Sequence, residues 1–321
     1  MSVMPAESAQ TRTQRYARRR SEILDVASDL INVQGTRSMT LTAVAKALGL
    51  DTSSVTYYFK RKDVLAAACL ERTLLWLRDA ALTSAAHPDA RSRVKAFLNE
   101  QFELHRRQRD PTVARLALLS DMRALDAEAR APLDLLYADM FRVVRDFFDF
   151  DEGPGARSRS LISAAVLVQN IHWIPAWLDR YLDRDLDRAG ARLFDVLDRG
   201  LGVGRSWPVH LAPLEEGDGG DAQTRFLHAA TNLINRESYA GASVEKIAAE
   251  LGVSTGSFYH HLDNKDDLVV ACFDRTHALL DAAQARADAS GRDEGERLAI
   301  MASSLVALQL AGESPLLRTN A

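Results

Sequence analysis

The chain has 321 residues, with 40 Lys and Arg against 44 Asp and Glu and a net charge of −4 at pH 7. At 47% hydrophobic and 26% charged, it has the composition of a globular protein long enough for two or three domains. The negative total excludes a basic nucleic-acid coat, so any nucleic-acid binding must come from local patches.

Residues 1–14 are polar, carry an early Pro5 and are expected to form a disordered arm. Arg12, Arg15, Arg18, Arg19 and Arg20 form a basic stretch leading into a first helix, Tyr16 to Val33, which Gly35 ends. Arg18 and Arg19 are candidates for phosphate or minor-groove contact. The stretch from Thr40 to Leu65 reads as a helix-turn-helix entering a longer helix. Thr40 and Thr42 suit an N-cap, and Leu41, Val44, Ala45 and Leu48 mark one apolar face. Gly49 supplies the left-handed stop. The next helix, Thr52 to Tyr58, presents Thr52, Ser53, Thr56 and Tyr57. These are short hydrogen-bonding groups and an aromatic, suited to a major groove. Tyr58 and Lys62 complete the candidate DNA contacts of this half, with Lys62 anchoring phosphate. A long helix then runs to about Ser84.

From Ala90 to Leu201 the pattern predicts further helices: Ala90–Gln108, Pro111–Leu125, Pro132–Phe150, Arg157–Leu182 and Leu186–Leu201. Pro111 and Pro132 are expected in first turns, and Pro175 to kink or end its helix. Large aromatics with a few polar groups among them mark an apolar pocket. Its candidate residues are Phe97, Gln101, His105, Asn170, Trp173 and Trp177. Residues 203–221 are rich in Gly, Pro and acids and read as a linker.

The pattern of Thr40–Leu65 then returns 203 residues later, without a gap, from Ser243 to Leu268. Ala45, Leu48, Gly49, Thr52, Ser54, Lys62, Asp63 and Leu65 recur as Ala248, Leu251, Gly252, Thr255, Ser257, Lys265, Asp266 and Leu268. Ile31 and Asn32 recur as Ile234 and Asn235, and Cys69, Arg72 and Thr73 as Cys272, Arg275 and Thr276. An ungapped repeat over about 50 residues makes chance a poor account of either copy. The second copy's candidate DNA contacts are Ser243, Thr255, Tyr259, His260 and Lys265. Cys69 and Cys272 fall on apolar helix faces, as small buried residues in a reducing compartment.

Both copies resemble the DNA-binding domain of the TetR family of bacterial transcriptional regulators. The resemblance rests on the V/I-A-x-x-L-G-[LV]-x-T-x-S segment, the following aromatic cluster and Lys-Asp-x-Leu. It implies an all-α fold: two helix-turn-helix three-helix heads, the first followed by a helical ligand-binding and dimerisation core, the second by a short helical tail. The expected domains are 15–84, 85–202, 222–289 and 290–321, with the arm and linker outside them. The resemblance further implies a double-stranded DNA operator, a homodimer, and release of DNA when a small apolar effector binds, the action of a repressor. The W-x-x-x-W spacing of Trp173 and Trp177 is similar to that of members sensing acyl-CoA or lipid-like ligands.

The copies differ in charge. Residues 12–73 hold 11 basic and 6 acidic side chains, and residues 221–276 hold 5 and 8. This favours DNA binding by the first head. It also motivates the alternative of an interaction scaffold or co-regulator whose second head does not bind DNA. Metal-ligand spacing, a phosphate loop and a nucleophile elbow are all missing from the sequence, so neither an enzyme nor a metal or other cofactor is expected. No signal peptide or 18-residue apolar run is visible, which predicts a cytoplasmic, nucleoid-associated protein with no membrane contact.

Overall fold

The computed structural model describes residues 9–110, 112–113, 115–149, 155–200, 222–252 and 264–311. The described residues form α-helices and two short 3₁₀ segments, the all-α class expected. The chain divides into two units, 1–200 and 201–321.

In the first unit α1 spans Ala9–Ser38, α2 Leu41–Ala47, α3 Thr52–Tyr58 and α4 Lys62–Ala85. Helix α1 begins inside the stretch expected to be disordered. Residues 9–14 contain no Gly or Pro to stop a helix. Gly35, at φ 79°, kinks α1 rather than ending it. Thr40 caps α2, its hydroxyl accepting from the Ala43 N–H at 3.0 Å, while Thr42 lies within the helix. Gly49, at φ 65°, closes α2. Its N–H donates to the Lys46 carbonyl and the Leu50 N–H to that of Ala45, a Schellman end that an L side chain would strain.

Helices α5 (Ala90–Gln108), α6 (Ala127–Arg145), α7 (Ala156–Leu178) and α8 (Leu186–Arg199) complete this unit. Helix α4 serves two apolar clusters. Leu65, Cys69, Leu70 and Leu74 pack with Ile23, Ala27, Val44 and Val55 of the head. Leu77 and Ala81 pack with Phe97, Phe102, Met140, Phe147, Leu167 and Leu178 of the core.

Three sequence expectations fail here. Within the expected helix Pro111–Leu125, residues 115–118 are non-helical and Leu119–Ala124 forms a 3₁₀ segment; Pro111 lies outside the described residues. The carbonyls of residues 115–117 instead meet side chains of α1 and α4. Pro132 lies inside α6, because the Asp126 side chain caps that helix at the Ala129 N–H, five residues before the expected start. Pro175 lies inside α7 and does not end it; α7 continues to Leu178, short of the expected Leu182. Helix α7 is also long and apolar enough, by composition alone, to cross a membrane, contrary to the sequence reading. Ala164, Leu167, Val168, Ile171, Ile174 and Leu178 bury one of its faces in the protein core.

The second unit contains α9 (Ala222–Gly241), α10 (Val244–Leu251), α11 (Lys265–Ser290) and α12 (Glu294–Ala311). Leu227, Ala230, Ile234, Ile247, Leu268 and Cys272 form its core, all of them counterparts of first-head core residues. Gly252 closes α10 at φ 65°, the same angle as Gly49. The linker 203–221 lies outside the described residues.

Candidate nucleic-acid interface

Val55 anchors α3 in the head, fully buried, and so fixes which α3 residues face outward. Thr52, Ser53 and Tyr57 are exposed; Thr56 and Tyr58 are half-buried. The Thr52 hydroxyl lies 3.5 Å from that of Thr42 on α2, so the two helices present one polar edge. The Thr56 hydroxyl donates to the Thr52 carbonyl at 2.9 Å and is engaged by its own helix. Tyr57 is 66% exposed.

The rings of Tyr16, Tyr57 and Tyr58 form a cluster, with Tyr16 4.8 Å from Tyr58 and 6.2 Å from Tyr57. Sequence reasoning missed Tyr16. It lies seven residues before the buried Ile23, on the same side of α1, but does not recur in the repeat, where Gly219 stands; the packing of its ring on Tyr57 and Tyr58 reveals it.

Charge beside α3 is partly engaged. Arg18 and Arg19 both reach Glu22, at 3.1 and 2.7 Å, while remaining accessible. Arg20 lies over the Phe59 ring at 5.2 Å. Arg61 binds Asp63, and this bond holds the Asp63 carboxyl below the usual carboxylate range. Lys62 is exposed, and its ammonium donates to the Arg37 carbonyl at 2.7 Å, closing the end of α1. That leaves two of its three N–H donors for a phosphate.

In the second head the Ser243 hydroxyl accepts from the Lys246 N–H at 3.3 Å and caps α10, as Thr40 caps α2. Lys265 opens α11 as Lys62 opens α4. Thr255, Tyr259 and His260 lie outside the described residues.

The candidate effector residues divide. Phe97 is buried and stacks edge-on against Phe147 at 5.7 Å; Trp177 meets Phe102 at 6.2 Å and Tyr181 at 5.7 Å. Gln101 is 7% exposed, and its Nε2 has no hydrogen-bond partner. The same holds for Nε2 of His172, whose ring lies 6.0 Å from that of Tyr137. Burial lowers the pKa of His172. It also lowers that of His105, against the opposing pull of Asp179. His105 Nε2 is 3.1 Å from Asp179 Oδ1 but misaligned for a hydrogen bond.

Asn170 and Trp173 do not join this group. The Asn170 amide donates to the Val166 carbonyl of its own helix, and Trp173 is 48% exposed on the outer face of α7. His172 shares with Gln101 a buried nitrogen without a hydrogen-bond partner, and its ring lies against Tyr137 of α6.

A second constellation joins core to head. Asn32 of α1 clamps the stretch after α5: its Nδ2 donates to the Leu116 carbonyl at 2.9 Å, and its Oδ1 accepts from the Leu118 N–H at 2.8 Å. Arg72 donates to the Arg115 carbonyl at 3.2 Å and Thr73 to the Ala117 carbonyl at 2.9 Å. Three successive carbonyls and one N–H are thus satisfied by side chains, which is how this stretch dispenses with a helix. The recurrence of Asn32, Arg72 and Thr73 in the repeat was the available signal.

The family model described as bacterial regulatory proteins, tetR family, matches residues 23–69 and 226–272. Both copies of the repeat match this one family model. The chain is 31% identical over 127 residues to the HTH-type transcriptional regulator BetI of Rhizobium meliloti, covering 39% of this chain and 61% of that protein. It is 33% identical over 84 residues to an HTH-type regulator in the dhlA 5' region of Xanthobacter autotrophicus, covering 24% of this chain and 40% of that one. The chain thus spans less than two thirds of the length of these curated relatives. Among solved structures, a TetR-family regulator from Bordetella parapertussis aligns over 57% of this chain and 95% of its own, at 18% identity and a TM-score of 0.47. AibR, solved in complex with isovaleryl coenzyme A and operator DNA, aligns over 56% and 97%, at 16% identity and a TM-score of 0.46.

Proposed function

We propose that the chain is a DNA-binding transcriptional regulator of the TetR type, a ligand-responsive repressor that acts on a double-stranded operator. The observation that carries this is the outer edge of the first head. Thr42, Thr52, Ser53 and Tyr57 are exposed together there, on helices whose buried faces leave no other use for them. Short polar groups can read base edges, while Arg18, Arg19 and Lys62 set register on phosphates.

The effector enters the core between α5, α6 and α7. It is mainly apolar, of acyl-CoA or lipid-like class, because aromatic and aliphatic side chains dominate the core there. It carries hydrogen-bonding groups for Gln101 and His172, whose enclosed nitrogens otherwise go unmatched. Helix α4 is the coupling element, since one end packs in the head and the other in the core. Effector binding releases DNA to the extent that it favours one placement of α4 over the other. Two copies pair through the outer face of α7, where Ile162, Val166 and Trp173 form an exposed apolar stripe at helical spacing.

The test is DNA binding across a salt series, using the region upstream of the chain's own gene. Wild type is compared with Lys62→Ala and Lys265→Ala. Each lost phosphate contact lowers the salt slope by about 1. Weakening by both variants means that both heads read DNA. Weakening by Lys62→Ala alone supports the second reading, a co-regulator whose acidic second head serves protein contact. Weak, salt-insensitive binding by wild type rejects the regulator.

A further inference from the structure

Helices α1 and α3 meet in the first head through contacts that lie outside its apolar core. The Arg20 guanidinium lies over the ring of Phe59, the residue that ends α3, at 5.2 Å. Four residues earlier on α1, the Tyr16 ring lies 4.8 Å from that of Tyr58, tilted by 33°. Tyr57 meets both neighbours nearly edge-on, Tyr58 at 5.1 Å and 84° and Tyr16 at 6.2 Å and 74°. Positions four apart share one helix face, so one side of α1 touches α3 twice. Tyr57 is nevertheless 66% exposed and Tyr16 42%, so these rings add little to the core that Val55 and Phe59 already close.

The repeat separates what the fold needs from what this cluster adds. Core residues return in the second copy, Leu24 as Leu227, Ala27 as Ala230 and Leu65 as Leu268. The cluster does not return. Tyr16, Arg20, Tyr57, Tyr58 and Phe59 stand in register with Gly219, Gln223, His260, His261 and Leu262. The second head keeps its core without them. The set occurs only in the copy with the basic surplus, which points to a use in binding rather than in folding. Tyr57 lies past Thr52 and Ser53 along α3, and Tyr16 precedes the accessible Arg18 and Arg19 by less than one turn of α1. A phenol beside such groups suits a phosphate oxygen, while the short polar groups earlier on α3 suit base edges.

On the reading that the first head binds DNA, we propose that Tyr16 is a positioning residue. Its ring holds Tyr57 against Tyr58, so that the Tyr57 hydroxyl is aimed at a backbone phosphate before DNA arrives. An exposed tyrosine otherwise samples its rotamers and must be ordered on binding. Two edge contacts to neighbouring rings supply that order in advance. The ring of Tyr16 does this, not its hydroxyl.

The test is a double-mutant cycle at Tyr16 and Tyr57 on the full chain. Two duplexes of equal length serve as probes, one from the region upstream of the chain's own gene and one of scrambled sequence. Tyr16→Ala weakens binding to both by about three- to tenfold, because a phosphate contact carries no sequence information. The salt slope stays at the wild-type value, since a neutral donor releases no counterion, in contrast to Lys62→Ala. Tyr16→Phe keeps wild-type affinity. In a Tyr57→Ala background Tyr16→Ala costs less than about twofold, because nothing is left to position. Melting temperatures stay near wild type, and Tyr16→Leu, which keeps apolar bulk without an aromatic edge, repeats the loss should Tyr16→Ala fail to fold. Additive losses overturn the proposal and make Tyr16 a contact in its own right. Full affinity in Tyr16→Ala overturns it too, as does an equal loss in Tyr16→Phe or a loss confined to the upstream duplex. Wild type that binds neither duplex overturns the regulator reading itself, whereas each of the other outcomes requires that wild type binds.

Discussion

Gly49 and Gly252 show most plainly how single residues shape both heads. Each sits at φ 65° at the end of the helix before the candidate recognition segment, and a Cβ added at either meets nothing within 4 Å. Substitution there is backbone strain without a clash. Gly49→Ala and Gly252→Ala should each destabilise their own unit by about 1 kcal/mol. Chemical denaturation checks this, and a cost near zero at either site would mean that the left-handed turn is not needed. The thiols illustrate the opposite case, residues whose chemistry packing switches off. Burial pushes Cys69 up to about 11 and raises Cys272, so both remain protonated apolar fillers near neutral pH.

Elements acquire their properties from what packs on them. Helix α7 has a composition that fits a membrane, yet one of its faces packs in a protein core and it brings His172 beside Tyr137. Burial lowers the pKa of His172 and His105 below the unfolded value near 6.5. A depressed histidine contributes stability that is fully present above the unfolded value and is lost as pH falls through the folded one. The melting temperature should therefore drop between pH 7 and pH 5, and the drop should shrink in His172→Gln. Thermal unfolding at both pH values decides, and an equal drop in both proteins removes His172 from the account. The stretch after α5 shows the same dependence on surroundings. Its sequence suits a helix, but side chains of α1 and α4 take its carbonyls and draw it out.

At the scale of the whole molecule, one chain carries two heads that match the same family model and differ in charge balance, with 11 basic and 6 acidic side chains in residues 12–73 and 5 and 8 in residues 221–276. Phosphate binding responds to that balance first. The proposed pairing of two copies uses the outer face of α7. Ile162 is 62% exposed and Val166 46%, an expense in solvent-facing apolar surface that pairing would remove. Val166→Glu should convert a dimer to monomers and weaken operator binding at least tenfold, because half-sites are read in pairs. Sedimentation velocity of wild type and variant provides the check. A wild-type monomer, or a variant that still dimerises, excludes that face.

The sequence by itself determined the all-α class, the two heads and their spacing. These depend on local signals such as apolar periodicity, caps and glycine stops, which a ungapped repeat states twice. It also placed Phe97, Gln101 and Trp177 in the core, since aromatics at helical spacing have few other uses. Only the tertiary structure turned Trp173 outward, put Tyr16 on α3 and replaced the helix after α5 with a clamped stretch. Each of these is decided by which distant residue arrives alongside. A periodicity shows that a helix has an apolar face, but not which of several helices will cover it or where that cover stops.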